Sequence, residues 1–177
     1  ELLTACTEDV VDPGPYQIED TVDWNQALLG DRFYALLQTR IASFGPKYTF
    51  RAQCRESSCR ESFDWEIDLN DLEIQHLNEE DQDVLRAGGE FTTHLTDGTA
   101  VKFRLATGAD EKKMARERTT ERAIADMLAL RITSIAGVGE VTEADVKNHR
   151  AIKTIRTYLE DLEWSELVGL LNALDAH

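Results

Sequence analysis

The sequence predicts an α+β fold, and three observations carry that prediction. Two stretches, near residues 48–69 and 91–105, alternate apolar and polar side chains at period two. Each is interrupted by turn-forming or polar residues. The last seventy or so residues instead space their apolar side chains as a helix does. Together these predict two antiparallel β-hairpins packed with four or five α-helices, behind an extended acidic N-terminal arm.

Residues 1–23 are acidic and punctuated by Pro13, Gly14 and Pro15, the composition of an extended arm that orders by docking. They have no basic region and no long apolar core, so no signal-peptide pattern is present. Residues 24–106 form the next division. Asp23 is placed to cap a helix from Trp24 to about Ser43, interrupted at Gly30–Asp31 and stopped by Gly45–Pro46. Phe33, Leu36, Leu37, Ile41 and Phe44 carry its helical spacing. Tyr48, Phe50, Ala52 and Cys54, then Phe63, Trp65, Ile67 and Leu69, alternate as the strands of the first hairpin. A polar connection through Glu79–Glu80–Asp81 leads to the second. There Asp97–Gly98 separates Phe91, Thr93 and Leu95 from Val101, Phe103 and Leu105.

Residues 107–177 are read as the helical part of the same domain. Thr107 and Asp110 have the spacing of a capping box, opening a helix with Met114, Ala123, Ile124, Met127, Leu128, Ile132 and Ile135 on one side. Gly137 and Gly139 end it. Thr142 and Asp145 repeat the spacing before Val146, Ile152, Ile155 and Leu159. A last amphipathic helix uses Leu162, Leu167, Leu170, Leu171 and Leu174.

Composition narrows the function. The chain has 177 residues, 42% of them hydrophobic, and a formal charge of −15. Such a charge lacks the phosphate-neutralising excess that a nucleic-acid surface requires. No apolar run approaches the ~20 residues that span a bilayer. Three cysteines, an odd number, argue against a secreted disulfide framework and for a reducing compartment.

Side chains able to do chemistry are few. Cys54 and Cys59 lie in and beside the first hairpin loop, where a zinc knuckle presents two ligands. Two readings stay open there: unligated or mutually oxidised thiols, or zinc with further ligands from elsewhere. Cys6 and His76 have no paired ligand spacing. Gly98 and Gly108 lack phosphate-loop spacing. Lys102 and Arg104 alternate with apolar residues and are expected in solvent. Lys147, Arg150, Lys153 and Arg156 share a helix face, read as solvated in preference to a site for an acidic partner. His76, His94, His149 and His177 are scattered, no serine sits in a nucleophile elbow, and Glu79–Asp81 lie in a polar loop. The expectation is a protein that is not an enzyme and takes no small-molecule substrate.

Two landmarks bear a family resemblance: Arg40-Ile-Ala-Ser-Phe-Gly45 leading to Cys54 and Cys59, and Phe103-Arg-Leu-Ala-Thr-Gly-Ala-Asp-Glu111 opening a helix. In this order, over about residues 24–135, the chain resembles the baseplate hub assembly chaperone family of contractile-tailed, T-even-like bacteriophages. Ala106 stands where that family often has Pro, which only stiffens the turn. Relatives carry a second Cys pair past the last helix, so zinc at Cys54 and Cys59 is expected only with such a further pair. The resemblance implies a baseplate structural subunit or an assembly chaperone, contacting hub, tape-measure or neighbouring baseplate proteins. It would work in the host cytoplasm during assembly and in the virion baseplate. Tyr16 and Trp24 are the candidate partner anchors, with Trp24 read alternatively as core. The competing function is a zinc-knuckle adaptor recruiting a partner outside tail assembly; a hydrolase with a degenerate zinc site is a third.

Overall fold

A computed structural model describes residues 2–16, 18, 21–114, 120–141 and 150–176. The chain divides into two units, residues 1–8 with 30–76 and residues 9–29 with 77–177. The architecture is α+β, with antiparallel sheets of two and four strands.

In the larger unit, β3 (Phe91–His94) and β4 (Ala100–Phe103) form the expected hairpin, with Phe91 opposite Phe103 and His94 opposite Ala100. The Asp97–Gly98 turn closes through Leu95 N–H to Thr99 O at 3.0 Å, and Gly98 takes a φ of 85°, open to glycine at no steric cost. The sheet continues beyond this pair. Residues 132–135, expected at the end of a long helix, are strand β5 (Ile132–Ile135), pairing with β4 and followed by β6 (Gly139–Glu140). The helix α5 (Thr120–Arg131) stops before them. Ile132-Thr-Ser-Ile135 is rich in β-branched residues, and the open edge of β4 offers its backbone groups a ladder.

Helices cover this sheet: α5, α6 (Arg150–Glu160) and α7 (Trp164–Asp175). Their apolar stripes converge on Val101, Phe103, Leu128, Ile135, Ile155 and Leu159, all at most 1% exposed. Each fully buried aliphatic or aromatic side chain contributes about 1.5–3 kcal/mol. Leu167, Leu170 and Leu174 bury the same face of α7, as its spacing predicts. The capping motif at Thr142–Asp145, Val146, Lys147, His149 and His177 lie outside the described residues, as do the side chains of Met114 and Arg150.

Glu79–Asp81, expected in a loop, form the first turn of α3 (Glu79–Arg86). Asn78 caps it, its side-chain oxygen accepting the Asp81 N–H at 2.8 Å. Acids there complement the positive end of the helix dipole.

The helix expected from Trp24 begins only at Leu29. Asp23 caps a turn instead, accepting the Asn25 N–H at 3.0 Å. The carbonyls of Asn25 and Ala27 accept the Ala109 and Gly108 N–H groups, at 2.8 and 3.0 Å, and Leu29 N–H donates to Ala106 O at 2.8 Å. Those partners, with an isolated bridge between Leu28 and Thr107, hold residues 24–28 as a turn and a bridge ahead of the helix.

The smaller unit contains α1 (Leu2–Cys6), most of α2 (Leu29–Phe44), β1 (Lys47–Gln53) and β2 (Ser62–Asp68). Leu2–Cys6, within the stretch read as an arm, is thus helical. The expected hairpin is present, in register from Lys47 opposite Asp68 to Gln53 opposite Ser62. Among its described residues, only Leu3, Leu37 and Leu69 are buried large apolar side chains.

Candidate interaction surface

The β1–β2 ribbon sorts its side chains by period two into two unlike faces. On one, Tyr48 lies opposite Ile67, Phe50 opposite Trp65 and Ala52 opposite Phe63. On the other, Lys47 and Arg51 reach Glu66 and Asp64 at 3.0 and 3.5 Å. Hydrogen bonding and the charge of Glu66 hold the Lys47 ammonium above its ordinary pKa. The polar face is complete in water. The apolar face is not: Tyr48, Phe50, Phe63 and Trp65 are 42%, 39%, 44% and 53% exposed.

Neighbouring groups lengthen this surface. Ring centroids of Tyr48 and Phe50 lie 6.0 Å apart, and those of Phe63 and Trp65 5.9 Å. The Arg40 guanidinium sits 4.9 Å from the Phe44 ring centre and 5.8 Å from that of Tyr48, linking the end of α2 to the ribbon. Hydrogen bonds from Arg40 to Gly45 O and Lys47 O fix it there. Phe44 is itself 77% exposed.

The candidate cysteines flank the ribbon's tip. Cys54 N–H donates to Glu61 O at 2.9 Å and Cys59 N–H to Glu56 O at 3.0 Å, so backbone bonds, with Arg60 at a φ of 49°, shape the loop. Cys54, Cys59 and Cys6 are free thiols. Among the described residues no group of three or more His, Cys, Asp or Glu is arranged to hold a metal. Two thiols are half of the set that a structural zinc takes, and by themselves they do not fit it. His76 and His94 are exposed in separate units.

Tyr16 and Trp24 are half-buried in the larger unit. The Tyr16 hydroxyl accepts the Leu28 N–H at 3.1 Å, pinning the chain just ahead of α2.

Two basic residues expected in solvent are engaged. Arg104 donates to both Asp110 oxygens, at 2.7 and 3.0 Å, and to Leu130 O at 2.8 Å. Arg156 bonds Asp126 at 2.9 Å and Glu160 at 3.1 Å. Lys102 is exposed as expected. Asp110 completes the expected cap by accepting the Thr107 N–H at 2.9 Å, but the Thr107 hydroxyl donates to the same carboxylate. Burial pushes the Asp110 carboxyl up, yet hydrogen bonds from Arg104 and Thr107 and the Arg104 charge outweigh it, leaving the pKa below its ordinary value.

The period-two pattern assigned the six apolar ribbon residues to one face. It carried no signal that this face would be uncovered, because an alternating strand reads the same whether its cover belongs to the same chain or to another. The surplus of aromatic residues beside only a few buried leucines was the available hint.

No helix among the described residues is long and apolar enough to cross a membrane. No curated protein and no solved structure matches the chain. A sequence profile described as T4 bacteriophage base plate protein matches residues 1–175. That span takes in α1, the ribbon, the four-stranded sheet and the last helix, and the chain belongs to the T4 bacteriophage base plate protein family.

Proposed function

We propose that this baseplate protein is a non-enzymatic subunit that holds neighbouring tail proteins through the aromatic face of the β1–β2 ribbon. The exposure of Tyr48, Phe50, Phe63 and Trp65 on one face, opposite a face of paired charges, is the observation that supports it. Apolar patches of this kind mark contact sites, and aromatic side chains give much binding energy per residue. Hub, tape-measure or adjacent baseplate proteins are the partners, met in the host cytoplasm during assembly. Tyr16 and Trp24, each half-exposed, serve as additional contacts of the N-terminal stretch.

Two modes fit such a surface. A structural subunit keeps its partner in the finished baseplate, whereas an assembly chaperone releases it. Quantitative mass spectrometry of purified particles separates them. A fixed copy number per particle identifies a subunit; absence from particles, with tails failing to assemble when the gene is deleted, identifies a chaperone. Absence from particles together with normal tails overturns the proposal and favours the adaptor reading, in which Cys54 and Cys59 bind zinc with a partner's ligands.

A further inference from the structure

We infer that the smaller unit is an order–disorder element: on the free chain it opens and recloses as a block while the larger unit stays folded. The regulatory meaning of that opening rests on the baseplate reading. The opening itself rests on how the unit is packed.

First, the unit is poor in core. Residues 2–8 and 30–76 bury Leu3, Leu37 and Leu69 and no other side chain. The buried core cluster, from Phe91 to Leu174, belongs entirely to the larger unit. A domain of about 60 residues is already marginal with an ordinary interior, because so much of its surface stays in water. Here one leucine each from α1, α2 and the turn after β2 stands in for an interior. The larger apolar side chains lie outside it: Phe33, Tyr34 and Phe44 of α2 are exposed, as are the four ribbon aromatics.

Second, its elements do not stand alone. An isolated helix of α2's length, 16 residues, is marginal in water even with good helix formers. Gly30, Thr39 and Ile41 are poorer ones. A two-stranded hairpin is marginal unless a further strand or a helix packs on it. Among the described residues of the unit, β1 and β2 are the one pair of elements in extensive contact. The ion pairs Lys47–Glu66 and Arg51–Asp64 have more than half of each side chain in solvent, where such pairs add little.

Third, the ends of the segment are fixed within the larger unit. Leu28 bridges Thr107, Leu29 N–H donates to Ala106 O at 2.8 Å, and Leu77 is partly buried against the core. Opening residues 30–76 therefore releases a closed loop and disturbs neither anchor. The closure limits the freedom that the open chain gains, which favours reclosing. A tail protein bound to the closed form lowers the opening by mass action. The unit is then labile on the free chain and rigid in an assembled baseplate.

The test is native-state hydrogen exchange of the full wild-type chain, without a partner, over a series of sub-denaturing urea concentrations. The slowest amides of β1 and β2 should exchange more slowly than in an unfolded peptide. They should still exchange at least ~100-fold faster than the slowest of β4 and β5, with a shallower dependence on urea. Leu37→Ala should speed exchange in α2, β1 and β2 roughly tenfold or more and leave β4 and β5 unchanged. Leu128→Ala should do the reverse. Complete loss of protection in the smaller unit of Leu37→Ala, with β4 and β5 unchanged, supports the inference equally. Equal rates and urea slopes in the two units overturn it, as does an equal response of both units to Leu37→Ala. So does a wild-type ribbon exchanging as fast as an unfolded peptide, since no closed state then exists. Such results, with the protein still found in particles, remove the opening and leave the baseplate role. Absence from particles with normal tails removes the role and leaves the opening intact.

Discussion

Arg104 holds Asp110 by a two-pronged ion pair, with nitrogen–oxygen distances of 2.7 and 3.0 Å. Asp110 is 1% exposed, and the same guanidinium reaches Leu130 O, near the end of α5. One ion pair thereby ties the end of β4, the start of α4 (Gly108–Met114) and the end of α5. Removing the carboxylate with Asp110→Ala leaves the Arg104 charge without its main partner. Because Arg104 is 39% exposed and water can screen it in part, the expected loss is about 2–4 kcal/mol, measured by urea unfolding at pH 7.

The same carboxylate makes stability depend on acid. Its pKa in the folded chain lies below the ordinary 3.8, so the folded state favours the charged form. That contribution is complete above the unfolded value and disappears as pH falls through the folded one. The advantage of wild type over Asp110→Asn should therefore be constant from pH 7 to about 5 and shrink below about pH 4. A gap that widens on acidification contradicts the sign.

Two glycines should respond oppositely to alanine. Gly98 has a φ of 85° and nothing within 4 Å of an added Cβ, so Gly98→Ala incurs only backbone strain, about 1 kcal/mol. Gly169 lies in the middle of α7, also with open space around it, and Gly169→Ala should stabilise by about 0.5–1 kcal/mol. Thermal melts of both variants check the pair.

Core and ribbon should separate cleanly in stability measurements. Leu128→Ala and Phe103→Ala each empty a fully buried site and should cost about 3–5 kcal/mol. Trp65→Ser, at 53% exposure, should change the unfolding free energy of the larger unit, measured in urea, by no more than about 0.5 kcal/mol. Its effect belongs to binding.

The thiols give a chemical prediction. With two ligands and no metal-holding group among the described residues, the purified chain should melt at the same temperature with and without a chelator, and Cys54→Ser should not change it. Stoichiometric zinc lost on Cys54→Ser would instead reveal ligands supplied from elsewhere.

What could be read beforehand follows from the range of the interactions involved. The ribbon and the Asp97–Gly98 turn were legible because period two and turn chemistry are local. Ile132 and Ile135 misled because three-residue spacing fits a helix as well as the ends of a short strand, and only the open edge of β4 decided between them. Glu79–Asp81 were taken for a loop because the cap at Asn78 went unrecognised, although its spacing to Asp81 was visible. Arg104 was assigned to solvent by alternation; its partner lies six residues on, across a turn whose geometry the pattern does not encode. The candidate surface was half legible: Tyr48, Phe50, Phe63 and Trp65 were placed on one face, but whether anything lay over that face is a tertiary fact.

The interleaving of the two units has a consequence for timing. The smaller unit takes most of its chain from residues 30–76, while the larger needs both residues 9–29 and 77–177. Leu167, Leu170 and Leu174, which close its core, are translated roughly a hundred residues after β2. At about 5–20 residues per second, that is about 5–20 s. On a ribosome the aromatic ribbon is therefore made, and open to capture, well before the core that anchors the rest of the chain has been synthesised.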